Sequence, residues 1–160
     1  MTINVGDRIP SQTIALAGPN GAQPVSTDAF FGGKTVALFA VPGAFTPTCS
    51  ARHLPGFKDK AADLKAKGVD AIACLSVNDA FVMHAWAEAQ GTGEDIAMIA
   101  DGNGDFSRAL GLLVDASGFN MGQRSRRYSM LVKDGVVEQL NMEQPGEFNV
   151  SSAEHLLGQL

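Results

Sequence analysis

The apolar residues of this chain are concentrated in short runs that alternate with longer segments of mixed polarity. Three of these runs, residues 34–41, 69–77 and 96–100, are bounded by glycine, proline or polar residues. Apolar runs of this length are typical of β-strands that are buried on both faces, as in parallel sheets. The pattern therefore predicts three buried strands in the first two thirds of the chain.

The segments that follow these runs carry apolar residues at helical spacing. This spacing predicts a helix over residues 49–67, and Pro55 is expected to kink or break its first turns because proline has no amide proton. A second helix is predicted over residues 80–90, behind an Asn78-Asp79 cap. A third, short helix is predicted over residues 105–110, ending near a glycine.

The last part of the chain predicts a hairpin and a final helix. Two strand-like runs, residues 128–133 and 136–140, are joined by Asp134-Gly135, a favoured two-residue hairpin turn. The segment Ser151-Ser152-Ala153-Glu154 matches a capping box that opens a helix. The order β-α-β-α-β-α-β-β-α indicates an α/β sandwich with a mixed central β-sheet flanked by helices, and it resembles the thioredoxin-like architecture. With no linker or repeat, residues 1–160 are expected to form a single domain.

Composition argues against several classes of function. The formal net charge of −5 argues against a surface that binds nucleic acid, which is usually basic. No apolar run approaches the ~20 residues of a membrane-spanning helix, and the N-terminus lacks the pattern of a signal or transit peptide. Two cysteines in 160 residues do not make a disulfide scaffold. We therefore expect a soluble, cytoplasmic protein in a reducing compartment, with no nucleic-acid or membrane partner.

Cys49 stands directly behind a predicted strand and a Pro/Gly turn, at the start of a predicted helix. Unpaired backbone N–H groups and the helix dipole favour a thiolate at such a position. A free thiol with a pKa of ~8.5 is only a few per cent ionised at neutral pH, and lowering that pKa to ~6 requires about 3.4 kcal/mol. A helix terminus contributes at most ~2 kcal/mol, so the remainder requires a cation or hydrogen-bond donors.

Thr46 and one arginine are candidate partners of this sulfur. Thr46 lies three residues before Cys49 and can donate to the sulfur or to a bound substrate oxygen, although threonine is also common in ordinary turns and caps. Arg127 opens the predicted hairpin and is the best-placed cation. The pattern alone does not choose among Arg124, Arg126 and Arg127.

The sequence around these residues resembles the peroxiredoxin family. The segment PGAFTPTCS, residues 42–50, is similar to the active-site signature of that family. The segments CLSVNDAFV, residues 74–82, and RRYSMLVKDG, residues 126–135, resemble its peroxiredoxin-5 (type II) subfamily. The resemblance covers nearly the whole chain.

This resemblance implies a function and a set of catalytic residues. Cys49 falls on the peroxidatic nucleophile, and Thr46, Arg127 and Pro42 fall on the other active-site positions, with Pro42 shielding the sulfur. By this resemblance, Cys49 attacks the O–O bond of hydrogen peroxide or a small organic hydroperoxide and becomes a sulfenic acid. No cofactor and no metal are implied, and a homodimer is expected.

The sequence leaves open which thiol reduces the sulfenic acid of Cys49, because the role of the second cysteine, Cys74, is not determined. Some members of the subfamily carry a resolving cysteine near the C-terminus, but residues 146–151 contain none here. Cys74 is either an inert core residue or, as plant-type relatives imply, a resolving residue. Because a disulfide needs Cα atoms within ~7 Å, joining it to Cys49 would require the first helical turn to unwind. We therefore expect an external thiol, glutathione, glutaredoxin or thioredoxin, to reduce the sulfenic acid.

The sequence is also compatible with two other functions. One is thiol–disulfide exchange, which the absence of a C-x-x-C motif around Cys49 disfavours. The other is a peroxide-sensing redox switch without catalysis. His53, four residues after Cys49, lacks the further ligands of a zinc site and the third group that orients a Cys/His pair. We therefore expect His53 to have a supporting or surface role.

Overall fold

A seven-stranded sheet forms the centre of the protein, whose computed structural model describes residues 2–160. Its strands are β1 (Thr13–Gly18), β2 (Gly21–Ser26), β3 (Thr35–Ala40), β4 (Ala71–Ser76), β5 (Ala97–Ala100), β8 (Tyr128–Lys133) and β9 (Val136–Met142). Their order across the sheet is β2-β1-β5-β4-β3-β8-β9. Two further strands, β6 (Leu113–Asp115) and β7 (Gln123–Ser125), pair with each other outside this sheet.

The sheet is mixed, as the sequence predicts. β3, β4 and β5 are parallel neighbours and correspond to the three apolar runs. On one side of these three strands, β8 pairs antiparallel with β3 and β9 pairs antiparallel with β8. On the other side, β1 pairs antiparallel with β5 and β2 pairs antiparallel with β1. The Asp134-Gly135 turn of the β8–β9 hairpin has positive φ at both residues, as a tight hairpin turn requires.

Helices cover both faces of the sheet. They are α1 (Thr27–Phe31), α2 (Leu54–Asp59), α3 (Ala61–Ala66), α4 (Ala80–Gln90), α5 (Asp105–Leu110) and α6 (Ala153–Leu157). On one face Phe39 packs in a cluster with Cys49 and Trp86, and on the other Leu38 packs in a cluster with Phe31. The predicted sandwich is therefore confirmed. Among residues 2–160, no helix is long and apolar enough to cross a membrane.

The segment predicted as one helix over residues 49–67 is divided into three. Cys49–His53 forms a π-helical turn, in which the Leu54 amide bonds to the carbonyl five residues earlier. Pro55 stands directly after this turn and has no amide proton, so the expected irregularity in the first turns is confirmed. A second break lies at Lys60, with φ −97° and ψ 6°, and the apolar spacing gives no sign of it.

The predicted cap of the last helix is wrong by a single residue. Ser152, rather than Ser151, is the N-cap of α6, and its hydroxyl accepts the amide of His155 at 3.1 Å. The Ser151 hydroxyl instead donates to the carboxylate of Glu143 at 2.6 Å. A long-range partner therefore removes this serine from the capping role. The predicted starts of α4 and α5 are correct, with the Asp79 side chain capping α4.

The sequence analysis did not predict the β1–β2 hairpin, α1, the β6–β7 hairpin or the short 3-10 helix over Ser117–Phe119. β2 is an edge strand that is mostly exposed and contains Pro24. Such a strand needs no continuous apolar run, because only part of its surface is buried. Apolar runs therefore predict the central strands of the sheet but not this edge strand.

Candidate active site

The turn over residues 42–46 connects the C-terminal end of β3 to the first helical turn. Three hydrogen bonds hold it: the Ala44 amide donates to Asn78 Oδ1 at 3.0 Å, and the Thr46 hydroxyl and amide both donate to the Gly43 carbonyl, at 2.7 and 3.4 Å. The Ser50 amide then donates to the Thr46 carbonyl at 2.9 Å, which closes the first turn of the helix. Cys49 consequently lies at a helix N-terminus, as its position after a predicted strand and turn predicts.

The sulfur of Cys49 is bound by an arginine. Arg127 Nη2 donates to Cys49 Sγ at 3.0 Å, and the cysteine residue is fully buried. β8 runs antiparallel to β3, with Tyr128 opposite Ala40. Arg127, just before β8, therefore lies at the same end of these strands as the turn that follows β3. This register explains how a residue 78 positions away in sequence reaches the sulfur.

Of the three candidate arginines, the structure places Arg127 on the sulfur and Arg124 beside the turn. Arg124 Nε donates to the Met121 carbonyl at 2.8 Å and its Nη1 donates to the Val77 carbonyl at 3.4 Å. It also approaches Gly43 closely, since a Cβ on that glycine would lie 3.2 Å from Arg124 Nη1. Arg124 thus links the ends of β4 and of the 117–122 loop to the cysteine turn.

His53 is the residue whose place the sequence did not predict. It is fully buried, and its Nε2 lies 2.9 Å from the Ser151 carbonyl. Because a carbonyl only accepts, Nε2 carries the proton and Nδ1 is free to accept from Arg127 Nη1 at 2.8 Å. Burial, and then the positive charge of Arg127, lower the pKa of His53 to about 3, so the imidazole is neutral at physiological pH. The four-residue spacing from Cys49 is the one sequence signal that pointed to it.

Thr46 and Pro42 line the turn without touching the sulfur through a hydrogen bond. The Thr46 hydroxyl proton is directed at Gly43, so among the described contacts it does not donate to Cys49 Sγ. Its oxygen retains lone pairs that can accept a proton from a ligand. Pro42 is half-buried at the start of the turn.

Cys74 is a buried thiol in the middle of β4. It lies opposite Phe39 in the sheet and belongs to the same apolar cluster as Cys49. Burial, followed by the nearby Cys49, raises the pKa of Cys74 well above its ordinary value, so it is held as a neutral thiol. Both cysteines are free thiols in this structure. Within residues 2–160, no group of three or more His, Cys, Asp or Glu side chains is arranged to hold a metal ion.

Fold and site together define a thiol-based redox protein of the thioredoxin-like class, and comparison with known proteins gives its family. A family model described as Redoxin matches residues 4–157. The chain is 52% identical to peroxiredoxin-2E-2, chloroplastic, of Oryza sativa subsp. japonica, covering 98% of this chain and 72% of the rice protein. It is 46% identical to the hybrid peroxiredoxin hyPrx5 of Haemophilus influenzae, covering 95% of this chain and 64% of that protein.

A solved structure agrees with these relatives. The crystal structure of reduced Prx3 from Vibrio vulnificus in complex with hydrogen peroxide superimposes with a TM-score of 0.94 at 51% identity, covering 99% of each chain. The chain therefore belongs to the peroxiredoxin family and resembles its peroxiredoxin-5 (type II) members. It is a thiol-dependent peroxidase, an oxidoreductase that acts on peroxide.

Proposed function

We propose that Cys49 is the nucleophile of this peroxidase, with Arg127, Thr46 and Pro42 completing the active site. The Cys49 thiolate attacks one oxygen of the peroxide, so that an S–O bond forms and the O–O bond breaks. The leaving oxygen takes up a proton and departs as water or an alcohol. Sulfur is oxidised to the sulfenic acid, and hydrogen peroxide or a small organic hydroperoxide is reduced.

The single observation that supports this proposal best is the 3.0 Å hydrogen bond from Arg127 Nη2 to Cys49 Sγ. A guanidinium at this distance favours the thiolate and adds to the effect of the helix terminus. Arginine carries five N–H donors, so donors beyond those on Cys49 and His53 remain for a peroxide oxygen. Positive charge and donors fixed before the reaction stabilise the charge that develops on the two oxygens.

Thr46 and Pro42 have distinct proposed roles. Because the Thr46 hydroxyl gives its proton to the Gly43 carbonyl, its oxygen is oriented to accept the O–H of a bound peroxide. Pro42, at the start of the same turn, presents a ring with no amide donor and shields the sulfur from water. Together they would orient the peroxide for in-line attack.

Substitution of the nucleophile tests this assignment. Cys49→Ser should abolish peroxide turnover, whereas Cys74→Ser should retain it with an external thiol. The absence of insulin reduction by the wild-type protein would separate the peroxidase from a disulfide exchanger of the same fold. Rapid oxidation without repeated turnover would instead favour the peroxide-sensing switch. Peroxide turnover that survives in Cys49→Ser would end the proposal.

We also propose that the reductant is an external thiol: glutathione, glutaredoxin or thioredoxin. The burial of Cys74 in mid-strand and the absence of cysteine in residues 146–151 support this proposal. Steady-state turnover should be compared with glutathione plus glutaredoxin and with thioredoxin. Non-reducing mass spectrometry after a single equivalent of peroxide provides the opposing test. A dominant Cys49–Cys74 disulfide without added thiol would contradict an external reductant.

Homodimer formation is a further proposal, and exposed aromatic residues, one of them in the active-site turn, support it. Phe45 lies in the turn, Phe81 at the start of α4 and Phe119 in the loop before β7, with 56%, 74% and 81% of their surfaces exposed. Phenylalanine and other aromatic residues are enriched at protein–protein interfaces. Sedimentation of the wild type and of Phe119→Ser would test it: a monomeric wild type contradicts the proposal.

A reducing compartment such as the cytoplasm remains a proposal as well. It is supported by two cysteines that are both free and buried. The rice relative is named as chloroplastic, so compartments differ among relatives of this chain. Fractionation of the source cells would test the proposal, and recovery of the protein from an oxidising compartment would contradict it.

A further inference from the structure

The carboxylate of Glu143 organises a loop that lies far from the cysteine in sequence. Glu143 is 4% exposed, and its oxygens accept the amides of Asn149, Val150 and Ser151 at 2.7 to 2.9 Å. The Ser151 hydroxyl adds a fourth donor at 2.6 Å. Burial opposes ionisation of this carboxyl, but the hydrogen bonds outweigh it and lower the pKa of Glu143. A carboxylate so fully satisfied fixes the geometry of residues 149–151.

This loop connects to the active site through one histidine. The Ser151 carbonyl accepts from His53 Nε2 at 2.9 Å, and His53 Nδ1 accepts from Arg127 Nη1 at 2.8 Å. Arg127 Nη2 in turn donates to Cys49 Sγ at 3.0 Å. Through the backbone of Ser151, these hydrogen bonds connect the buried Glu143 carboxylate to the sulfur.

The same glutamate also holds the backbone of the arginine. The Glu143 amide donates to the Arg127 carbonyl at 3.0 Å, next to the start of β8. Glu143 therefore fixes Arg127 at both ends, directly at the main chain and through Ser151 and His53 at the guanidinium. Sequence proximity does not produce this arrangement, since His53 and Ser151 are 98 residues apart.

We propose that His53 and Glu143 are positioning residues that hold the Arg127 guanidinium against the Cys49 sulfur. In this proposal the group that accepts from Arg127 is a neutral imidazole, so the guanidinium keeps its full positive charge to stabilise the thiolate. This inference rests on the proposed roles of Cys49 and Arg127. Neither positioning residue touches the sulfur; both act through Arg127.

Charge explains why the acceptor is a histidine. A carboxylate at the place of His53 would bind the guanidinium more strongly, but it would cancel much of the positive charge that the thiolate experiences. The surroundings of His53 keep it uncharged: its ring lies 5.0 Å from the ring of Phe39, 5.7 Å from that of Phe57 and 5.0 Å from that of Phe148. Apolar neighbours disfavour a second charge beside Arg127.

Three substitutions at His53 separate geometry from charge. In a Cys74→Ser background, in which Cys49 is the only thiol, His53→Ala removes the acceptor, His53→Gln keeps a neutral one, and His53→Glu introduces a negative one. Two readouts are needed: the rate of Cys49 oxidation by hydrogen peroxide, and the thiolate absorbance of the reduced protein at neutral pH. His84→Gln, on the partly exposed surface of α4, is the matched control.

The proposal predicts a distinct result for each variant. His53→Ala should react up to about 100-fold more slowly, as expected for a misplaced catalytic group. His53→Gln should restore most of the rate, and His53→Glu should lower the thiolate absorbance at neutral pH even if Arg127 stays bound. His84→Gln should behave as the wild type.

Glu143→Gln tests the distant end of the chain. It should slow oxidation of Cys49. The double variant with His53→Ala should be no slower than His53→Ala alone, because the Glu143 side chain acts through Ser151 and His53, and the main-chain bond from the Glu143 amide to Arg127 is kept in both variants. Wild-type rates in both His53→Ala and Glu143→Gln, with an inactive Cys49→Ser, would overturn the positioning role and leave the peroxidase assignment intact. Additive losses in the double variant would also overturn it. A wild-type protein that does not react with peroxide would instead refute the proposed roles of Cys49 and Arg127.

Discussion

Trp86 Nε1 donates a 3.0 Å hydrogen bond to the hydroxyl of Ser50, the residue that follows Cys49. Trp86 is fully buried on α4, so this bond fastens the π-helical turn that carries the cysteine to the helix layer of the fold. The geometry of the nucleophile therefore depends on a neighbouring helix as well as on its own turn. Any conformation in which this turn unwinds must first break the Ser50–Trp86 bond.

We predict that Ser50→Ala destabilises the protein more than its small change in volume suggests. Removal of the hydroxyl leaves a buried indole N–H without a partner, which costs about 1–3 kcal/mol. Urea denaturation should show this loss in the free energy of unfolding. Ser50→Thr, which keeps a hydroxyl, is the control and should lose less. An unchanged midpoint in Ser50→Ala would show that the bond contributes nothing.

We predict that Cys74→Ser lowers stability and leaves peroxide turnover with an external thiol intact. A hydroxyl in the apolar interior of β4 costs about 1–3 kcal/mol when it finds no partner. Cys74→Ala, which buries no hydroxyl, is the matched comparison. Turnover and the free energy of unfolding should be measured on both variants. If both variants are fully folded and both lose turnover, Cys74 takes part in the catalytic cycle.

Acid should destabilise the protein through His53. The pKa of His53 is lowered from 6.5 to about 3 in the folded state, so between these values the unfolded chain binds a proton that the folded protein does not. Stability is therefore complete above the unfolded value and falls as the pH drops toward about 3, by up to about 1.4 kcal/mol per pH unit. Urea midpoints across this range should show the slope in the wild type and a shallower one in His53→Gln. His155→Gln, an exposed histidine, should keep the wild-type slope.

We predict that Gly43→Ala slows peroxide reduction without unfolding the protein. A Cβ on Gly43 would lie 3.1 Å from Thr46 Cγ2 and 3.2 Å from Arg124 Nη1, so these side chains must move. Displacement of a positioning group in an active site reduces the rate strongly. Gly56→Ala is the control, since a Cβ there meets nothing within 4 Å. Equal oxidation rates for the two variants would show that the turn tolerates the displacement.

The sequence predicts local features of this molecule well and long-range ones poorly. The strand, turn and helix around Cys49 are encoded within a few residues, and so is the β8–β9 hairpin turn at Asp134-Gly135. The cap of α6 was misplaced because Ser151 is occupied by Glu143, eight residues earlier.

The partners of the active-site side chains illustrate the same limit. Sequence pattern left three arginines open, and the register of β8 against β3 brings Arg127 to the sulfur. His53 was expected to have a supporting or surface role, and its burial against Arg127 depends on a loop 98 residues away. Periodicity and spacing predict which face of a helix or strand is buried, but they do not predict which distant side chain packs against that face.

The thiolate absorbance of reduced protein tests the central claim, that Arg127 holds the Cys49 sulfur ionised and oriented for attack. It should be measured at neutral pH in Cys74→Ser and in the same protein with Arg127→Gln added, with Arg126→Gln as the control. The account predicts a clear thiolate signal in Cys74→Ser and in the control, and its loss together with rapid peroxide reactivity in Arg127→Gln. An equal signal with and without Arg127, or none in either protein, would contradict it.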